Sequence, residues 1–276
     1  MYRILKREEL VPNIHLLKLE SSHIPLKASP GQFIIVRADE KGERIPLTLA
    51  DWDADEGSLT TIFMTVGTST QKLALLNSGD TIPTLVGPLG LPSQSENFGT
   101  VLLVGGCYGI ASIFPLAQQL KKKGNRVIII IEARSKNLIY WEERLKEVSE
   151  RLVVVTRDGS YGYSGHVPDN LKKILEEEKV SRVVVNGCTF LMMITSETTR
   201  PVNIKTIVNL NPIMIDGTGM CGVCRVQVNG NTKFACVDGP EFDGHQVDWN
   251  VLLARRHTYI QEEINSLSFW ECEKYG

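Results

Sequence analysis

Over the first third of the chain the apolar positions alternate in short runs, IHLLKLE, GQFIIVRA, LTTIFMTVG and DTIPTLVGP, separated by Pro, Gly and Asp turns. A period of two gives each run two unlike faces, so residues 1–96 are expected to form an antiparallel barrel or sandwich. From Gly99 the texture changes. Continuous apolar runs, TVLLVGG, NRVIIIIEA, RLVVVTRDG and RVVVNGC, alternate with segments of helical character, ASIFPLAQQLKKKG, LIYWEERLKEVSE and NLKKILEEEKV. Strands covered on both faces lose their polar alternation, and their exchange with helices predicts parallel βαβ units over 97–205. Residues 206–250 are rich in Gly, Asn and Asp and carry too little apolar mass for a core of their own. They are expected to form a small subdomain organised by a metal, whose binding supplies folding free energy that burial does not. Residues 251–276 read as a helical tail that packs on the body or on a partner.

Lys plus Arg number 30 against 32 Asp plus Glu. That balance argues against nucleic acid or an anionic membrane as partner and leaves small molecules and proteins. The opening MYRILKREELVPNIHLLKLE breaks its apolar residues with charges, unlike a secretory signal. The strongest apolar runs, such as Val127 to Ile131, fall far short of the ~20 residues needed to cross a bilayer. A soluble, cytoplasmic protein without membrane attachment is expected, and in a reducing compartment clustered cysteines point to metal rather than disulfides.

Three of the six cysteines do cluster: Cys221-Gly-Val-Cys224, eleven residues, then Cys236. Two thiolates on one tight loop grip a single metal, and Gly217, Gly219 and Gly222 let backbone N–H groups approach the sulfurs. A [2Fe-2S] cluster wants a fourth ligand. Asp216 in DGTGMC is the nearby candidate, and Cys272 is a second if the tail folds back. A zinc ribbon remains the alternative, although zinc usually shows two paired knuckles or histidines and His245 stands too far past Cys236 to restore that pattern.

Two further segments suggest cofactors. GERIPLTLAD places Arg44 before a strand containing Pro46, Leu47 and Thr48, and a flavin dinucleotide needs a cation on its pyrophosphate and an extended strand along its ring edge. On its own the pattern also reads as a surface Arg at a strand start. VGTSTQKLALL puts Gly67, Thr68, Ser69 and Thr70 just before a helical run, suited to an anion or simply to capping. VLLVGGCYGIAS sets Gly105, Gly106 and Gly109 between a buried strand and a helix, where the backbone approaches a pyrophosphate or merely packs closely. The following strands end in Arg134 and Lys136, placed for adenosine phosphates, and in Asp158 and Gly159.

LNPIMIDGTGMCGVCRV with FACVDGPEFDGHQVDW resembles the small, or alpha, subunits of NADH-dependent reduced ferredoxin:NADP oxidoreductases, and the likeness spans essentially the whole chain. In that family three Cys and one Asp bind the [2Fe-2S] cluster, which implies Asp216, Cys221, Cys224 and Cys236 as ligands. The electron-transfer subunit of dihydroorotate dehydrogenase is a more distant likeness, its cluster having four Cys. RxPLT followed by GxxT before a helix is the ferredoxin reductase-like pattern and implies FAD on Arg44, Pro46, Leu47, Thr48 and Gly67 to Thr70, with Gly87-Pro88-Leu89-Gly90 as a turn closing the barrel. Arg134, Lys136, Asp158 and Gly159 agree with the family's NAD(H) or NADP(H) site. Two stretches depart from it: Cys107-Tyr108 inside a loop that reads GGGxG in the family, and Asn186-Gly187-Cys188-Thr189-Phe190 in place of a Gly-Pro turn.

The resemblance implies a β-barrel FAD domain, an α/β parallel-sheet nucleotide-binding domain and a small C-terminal [2Fe-2S] subdomain. It implies an oxidoreductase subunit of the ferredoxin–NAD(P) reductase or transhydrogenase type. Electrons would move between a nicotinamide donor or acceptor, FAD and the cluster, to or from a large subunit resembling the small subunit of glutamate synthase, which holds FAD and [4Fe-4S] clusters. The family includes electron-bifurcating heterodimers. Ferredoxin would be contacted only indirectly, because this chain lacks a four-cysteine run. No catalytic acid or base is expected, since hydride transfer chiefly needs positioning. The two departures predict poor use of NADH, with the Tyr108 ring standing where a phosphate or ring belongs and Phe190 filling the space of the lost turn. From a different class, a zinc-stabilised binding module without enzymatic activity accounts for the same cysteines.

Overall fold

A computed structural model describes residues 1–275, and the side chains of 1–273. Gly276, the last residue of the expected tail, lies outside the described residues.

The first sheet contains β1 (Tyr2–Val11), β2 (Ile14–Glu20), β3 (Phe33–Arg37), β4 (Ile45–Asp53), β5 (Ser58–Met64), β6 (Thr81–Ile82) and β7 (Thr84–Leu89), with helix α1 (Thr68–Leu75) before β6. Its strands run in the order β6-β1-β2-β5-β4-β3-β7, with antiparallel pairing throughout. The two outermost strands are consecutive in the chain, separated by Pro83, so the covalent backbone closes the sheet into a nearly complete barrel. Pro83 has no N–H to give a ladder, and one expected strand is thereby divided in two. Gly87-Pro88-Leu89 lies inside β7, not in the expected turn, and the chain leaves the strand only at Gly90 with φ +79°.

The second sheet contains β8 (Thr100–Gly106), β9 (Arg126–Ala133), β10 (Arg151–Thr156), β11 (Tyr163–Ser164), β12 (Arg182–Asn186), β13 (Lys205–Asn209) and, after the hairpin β14 (Arg225–Val228) and β15 (Asn231–Phe234), β16 (Glu241–Asp243). The order is β11-β10-β9-β8-β12-β13-β16, all parallel except β16. Helices α2 (Gly109–Ser112), α3 (Phe114–Lys122), α4 (Glu142–Glu147), α5 (Val167–Glu177) and α6 (Thr189–Thr199) connect these strands, and α7 (Trp249–Arg256) and α8 (Ile260–Tyr275) end the chain. Of the expected amphipathic helix LIYWEERLKEVSE only α4 is helical. The preceding aromatics are drawn inward instead: the Tyr140 hydroxyl donates to the Cys107 carbonyl at 2.8 Å, and Trp141, at φ +56°, meets Phe114 edge-on.

The period of two in the barrel strands divides their side chains between two cores. Leu17 and Leu19 of β2 point into the barrel, whereas Ile14 and Leu16 join Val101, Leu103 and Ile110 of the α/β unit. Ile34 and Val36 of β3 face the barrel core, while Phe33 and Ile35 meet Leu102, Val104 and the cysteine-rich segment. That segment, short of apolar mass, places Cys224, Val226, Val228, Ala235 and Phe242 in this same core, and β16 extends the second sheet.

Gly109 sets the closest approach between the connections. A Cβ there would stand 2.1 Å from the Asn186 carbonyl oxygen and 2.4 Å from its carbon. Both atoms belong to the β12 backbone and have no room to yield. Gly109→Ala is therefore expected to cost about 1–3 kcal/mol of stability, as overpacking does, read as a lower urea midpoint at unchanged slope.

Candidate functional site

The barrel and the α/β unit enclose between them a cavity of about 450 Å³, within the range of cofactor pockets. Its barrel wall is Pro46, Leu47 and Thr48 of β4 with Ile62, Phe63 and Met64 of β5. The opposite wall comes from the carboxyl ends of the second sheet: Tyr108, Asn186, Cys188 and Asn209 to Pro212, then Met214. Arg256 and Glu263 reach it from α7 and α8. Arg44, one residue before β4, has a buried Nε without a hydrogen-bond partner. An unpaired guanidinium nitrogen is what an anionic cofactor satisfies.

Thr68, Ser69 and Thr70 form the first turn of α1 rather than preceding it, with Gly67 as N-cap. The Thr70 hydroxyl accepts from the N–H groups of Val66 (2.9 Å) and Gly67 (3.1 Å), so this side chain shapes the turn and also lines the cavity. A Cβ on Gly67 would meet nothing within 4 Å. Packing therefore does not require glycine there, and the space beside the helix start is open. These features fit a flavin dinucleotide, which Arg44, β4 and the start of α1 would hold.

At the candidate nucleotide loop the glycines meet a packing requirement. A Cβ on Gly105 would meet Ile110 Cα at 2.9 Å, and one on Gly106 would meet Leu191 Cδ2 at 2.5 Å. The residue in the left-handed region is Cys107, at φ +53°, a conformation that costs a non-glycine side chain of order 1–3 kcal/mol and clusters at functional sites. Tyr108 lines the large cavity. Its hydroxyl donates to the Gly187 carbonyl at 2.9 Å, and it accepts from Asn211 Nδ2 at 2.5 Å. Burial pushes its pKa up to about 12. Phe190 is 53 % exposed and stands outside the cavity wall.

The ends of β9 and β10 bring the remaining nucleotide candidates together. Asp158 N–H donates to the Arg134 carbonyl, Lys136 N–H donates to Ser160 Oγ at 2.8 Å, and Lys136 Nζ lies 5.2 Å from the Tyr161 ring centroid. Hydrogen bonds from Ser160 and the charge of Arg134 hold the Asp158 carboxyl below its usual range. Gly159 turns the chain at φ +73°.

The structure brings two of the four iron-ligand candidates together. Cys224 Sγ and Cys236 Sγ are 3.2 Å apart and buried, while Cys221 is exposed. Asp216 accepts from the N–H groups of Thr218 and Cys221, both at 2.9 Å, which holds its carboxyl low. Among the described residues no three His, Cys, Asp or Glu side chains converge on one metal position. The donor set nevertheless fits a cluster. Burial first, then the Cys224 neighbour, push the Cys236 thiol up to about 12, and a thiophilic cation relieves such a pair by displacing its protons. The loop carrying the other two candidates turns through left-handed glycines at 217, 219 and 222. Cys272 is exposed on α8.

The iron–sulfur cluster binding domain of dihydroorotate dehydrogenase B matches residues 211–248, the stretch that holds all four candidates. The electron transfer subunit homolog of dihydroorotate dehydrogenase B (NAD(+)) from Thermotoga maritima is 44% identical over 260 residues, spanning 94% of this chain and 92% of that protein. This chain belongs to that family. A chain in the structure of the NADH-dependent reduced ferredoxin–NADP oxidoreductase, solved for its insights into flavin-based electron bifurcation, is 43% identical to this member, with a TM-score of 0.93 and 98% of both chains covered. The ferredoxin NADP+ reductase from Neisseria gonorrhoeae, with bound FAD and NADP, shares the fold at 19% identity and a TM-score of 0.62, covering 73% of this chain and 90% of that one.

For this member of the electron-transfer subunit family, Asp216 is the ligand candidate with the clearest spectroscopic consequence. Exchanging a hard carboxylate for a thiolate alters the electron density at iron. Asp216→Cys is expected to keep a [2Fe-2S] cluster with a shifted EPR signal and potential; identical values would remove Asp216 from the ligand set. Sequence reasoning missed the polar network behind the cavity. There Arg256 donates to Asn211 Oδ1 at 2.9 Å and to Thr189 Oγ1 at 2.5 Å, and at the ends of β9 and β10 Arg157 Nε donates to the buried Glu132 at 2.8 Å. The strand termini were readable, but contacts joining residues dozens of positions apart leave no local signal.

Proposed function

We propose that this chain is the electron-transfer subunit of a ferredoxin–NAD(P) reductase or transhydrogenase, holding FAD in the 450 Å³ cavity and a [2Fe-2S] cluster on Asp216, Cys221, Cys224 and Cys236. One observation carries the reading. Leu210, Pro212 and Met214 line the cavity, and the chain runs straight from them into Asp216. Two residues of extended chain span at most about 7 Å, so pocket and cluster loop are adjoining parts of one segment. A Cβ on Gly217 would also touch Leu89 and Ile35 of the barrel.

Bound there, FAD would supply the exchange between two-electron and one-electron chemistry, and the cluster would carry electrons singly. Arg44 holds the pyrophosphate, and Pro46, Leu47 and Thr48 align the ring edge. Gly67 to Thr70 offer backbone N–H groups to a phosphate. Gly105, Gly106 and Gly109 set the floor of the nucleotide groove, with Arg134, Lys136, Asp158 and Gly159 at its adenosine end. The apolar cavity walls exclude water from the place where hydride would pass. The partner in this reading is a larger subunit resembling the small subunit of glutamate synthase, with its own FAD and [4Fe-4S] clusters, in the cytoplasm. The division 1–96, 97–205, 206–250 and 251–276 assigns flavin, nucleotide, cluster and tail. Among the described residues no helix is long and apolar enough to cross a membrane.

Anaerobic purification with the partner, followed by an absorption spectrum and a count of iron, sulfide and flavin, tests the reading; a colourless zinc protein overturns it. The match of residues 211–248 favours a second reading, the electron subunit of a dihydroorotate dehydrogenase, and copurification with an orotate-reducing partner would select it. Mixing the subunit with NADH or NADPH while watching flavin bleaching identifies the donor. Slow bleaching by micromolar NADH is expected, because Cys107-Tyr108 and Gly187-Cys188 replace the glycine loop and Gly-Pro turn of the resembling family; fast bleaching would reverse that preference.

A further inference from the structure

Behind the large cavity lies a second, much smaller one of about 10 Å³, lined by Gly31, Ser93, Ser112, Asn186, Asn209 and Glu241 among others. That is room for about one water molecule. Asn186 and Asn209 line both cavities, so these two residues stand between the proposed flavin pocket and the hollow that Glu241 also lines. Asn209 is buried and its Nδ2 has no hydrogen-bond partner. An orphaned amide on a residue that lines a water-sized hollow marks a place for a bridging water.

Glu241 is paired with Asn209 across the β13–β16 ladder, and its Oε1 accepts from the Ser93 hydroxyl at 2.5 Å. Gly31, at φ +83°, makes room for this pair: a Cβ there would lie 2.1 Å from Ser93 Oγ and 3.1 Å from Glu241 Oε1. No cation forms a salt bridge with this carboxyl among the described residues. Arg182 acts on it only from a distance, its guanidinium stacked 3.8 Å from the Phe98 ring centroid and donating to Gln94. Burial accordingly raises the Glu241 pKa, against the opposing pull of Ser93 and Arg182. A protonated carboxyl has both a donor and an acceptor oxygen, so it passes a proton without changing its own charge.

We infer that Glu241, acting through the water held by Asn186 and Asn209, is the proton relay of the flavin pocket. The inference rests on the proposed flavin occupancy. A hydride from a nicotinamide-type donor breaks one C–H bond and brings one proton and two electrons. Both electrons leave singly through the cluster to the partner, so one proton per hydride has to leave the pocket. It passes to one oxygen of Glu241 as a proton departs from the other through the hydroxyl of Ser93, its hydrogen-bond partner, which gives up its own proton toward the exposed flank at Gln94, and the charge of Glu241 is unchanged. In the reverse direction the same carboxyl delivers the proton that completes the hydride. Glu241 positions and passes this proton and does not itself touch the donor.

Reduced-minus-oxidised infrared difference spectra of the flavin-loaded subunit, in H₂O and D₂O, test the inference alongside stopped-flow oxidation of the reduced flavin by a one-electron acceptor. A paired carboxylic C=O feature that shifts in D₂O is expected, lost in Glu241→Gln and displaced in frequency in Ser93→Ala. Oxidation in Glu241→Gln is expected to slow roughly tenfold or more and to lose its solvent isotope dependence. If Glu241→Gln fails to load flavin, the Ser93→Ala displacement decides. A feature that is absent, or unchanged in these variants, or an unaltered oxidation rate, overturns the relay. Flavin bleaching in the visible is recorded on the same samples, so a protein that holds no flavin overturns the functional reading instead.

Discussion

Cys236→Ser is expected to abolish the iron–sulfur absorption and one-electron transfer to the partner while leaving the flavin bound. Cys236 and Cys224 are buried together in the core that also holds Val226, Val228 and Ala235. Their hairpin, β14 with β15, has only four residues a strand and would be marginal alone. Metal binding at such a site is also folding free energy. The loss therefore spreads beyond one ligand: amides of residues 211–238 should exchange faster with solvent while those of the two large sheets keep their protection. Iron and sulfide counts with hydrogen exchange read both effects. Full iron content in the variant would remove Cys236 from the cluster, and stoichiometric zinc in the wild type would replace the cluster altogether.

Arg44→Ala is expected to weaken FAD binding by roughly tenfold to a hundredfold, the equivalent of about 1.5–3 kcal/mol for a hydrogen bond to a charged group. Arg44 Nε is buried and unpartnered in the protein alone, so pairing with a pyrophosphate would also relieve a group that folding leaves unsatisfied. The variant should fold normally, because no internal partner of that nitrogen is lost. Flavin retained after dilution and gel filtration is the measurement, and occupancy equal to wild type would discard the assignment. Lysine at this position should restore only part of the affinity, because a point charge lacks the planar fork that meets a phosphate twice.

Much of the fold could be read from the order of apolar residues. IHLLKLE and TVLLVGG coincide residue for residue with β2 and β8, because each is an apolar run with a turn residue beside it. The helix expected over LIYWEERLKEVSE shrank to α4, since Tyr140 and Trp141 gain more from the core beside Phe114 than from a helical face. The cysteine spacing and the loop glycines pointed to ligands, but spacing alone did not tell which sulfurs are buried as a pair. Glycines 105, 106 and 109 looked like a phosphate cradle, and the backbone and side-chain contacts they permit show a packing requirement as well. Glu241 was the least legible. Its partner Ser93 lies 148 positions away, and nothing in the string GPEFDG distinguishes it from a surface acid.

The division of β2 and β3 between two cores has a consequence for motion. A hinge that swung the α/β unit away from the barrel would expose Ile14, Leu16, Phe33 and Ile35 together, and each such side chain costs about 1.5–3 kcal/mol when returned to water. The two halves are thus locked as one rigid frame, and neither can close over a ligand as a lid. Entry and departure at the cavity mouth are left to small parts, the side chains of the Cys188 turn and the terminal helices that carry Arg256 and Glu263. The width of the cavity between its barrel wall and the carboxyl ends of the second sheet is then set by the scaffold, and any gating falls to elements no larger than a helix.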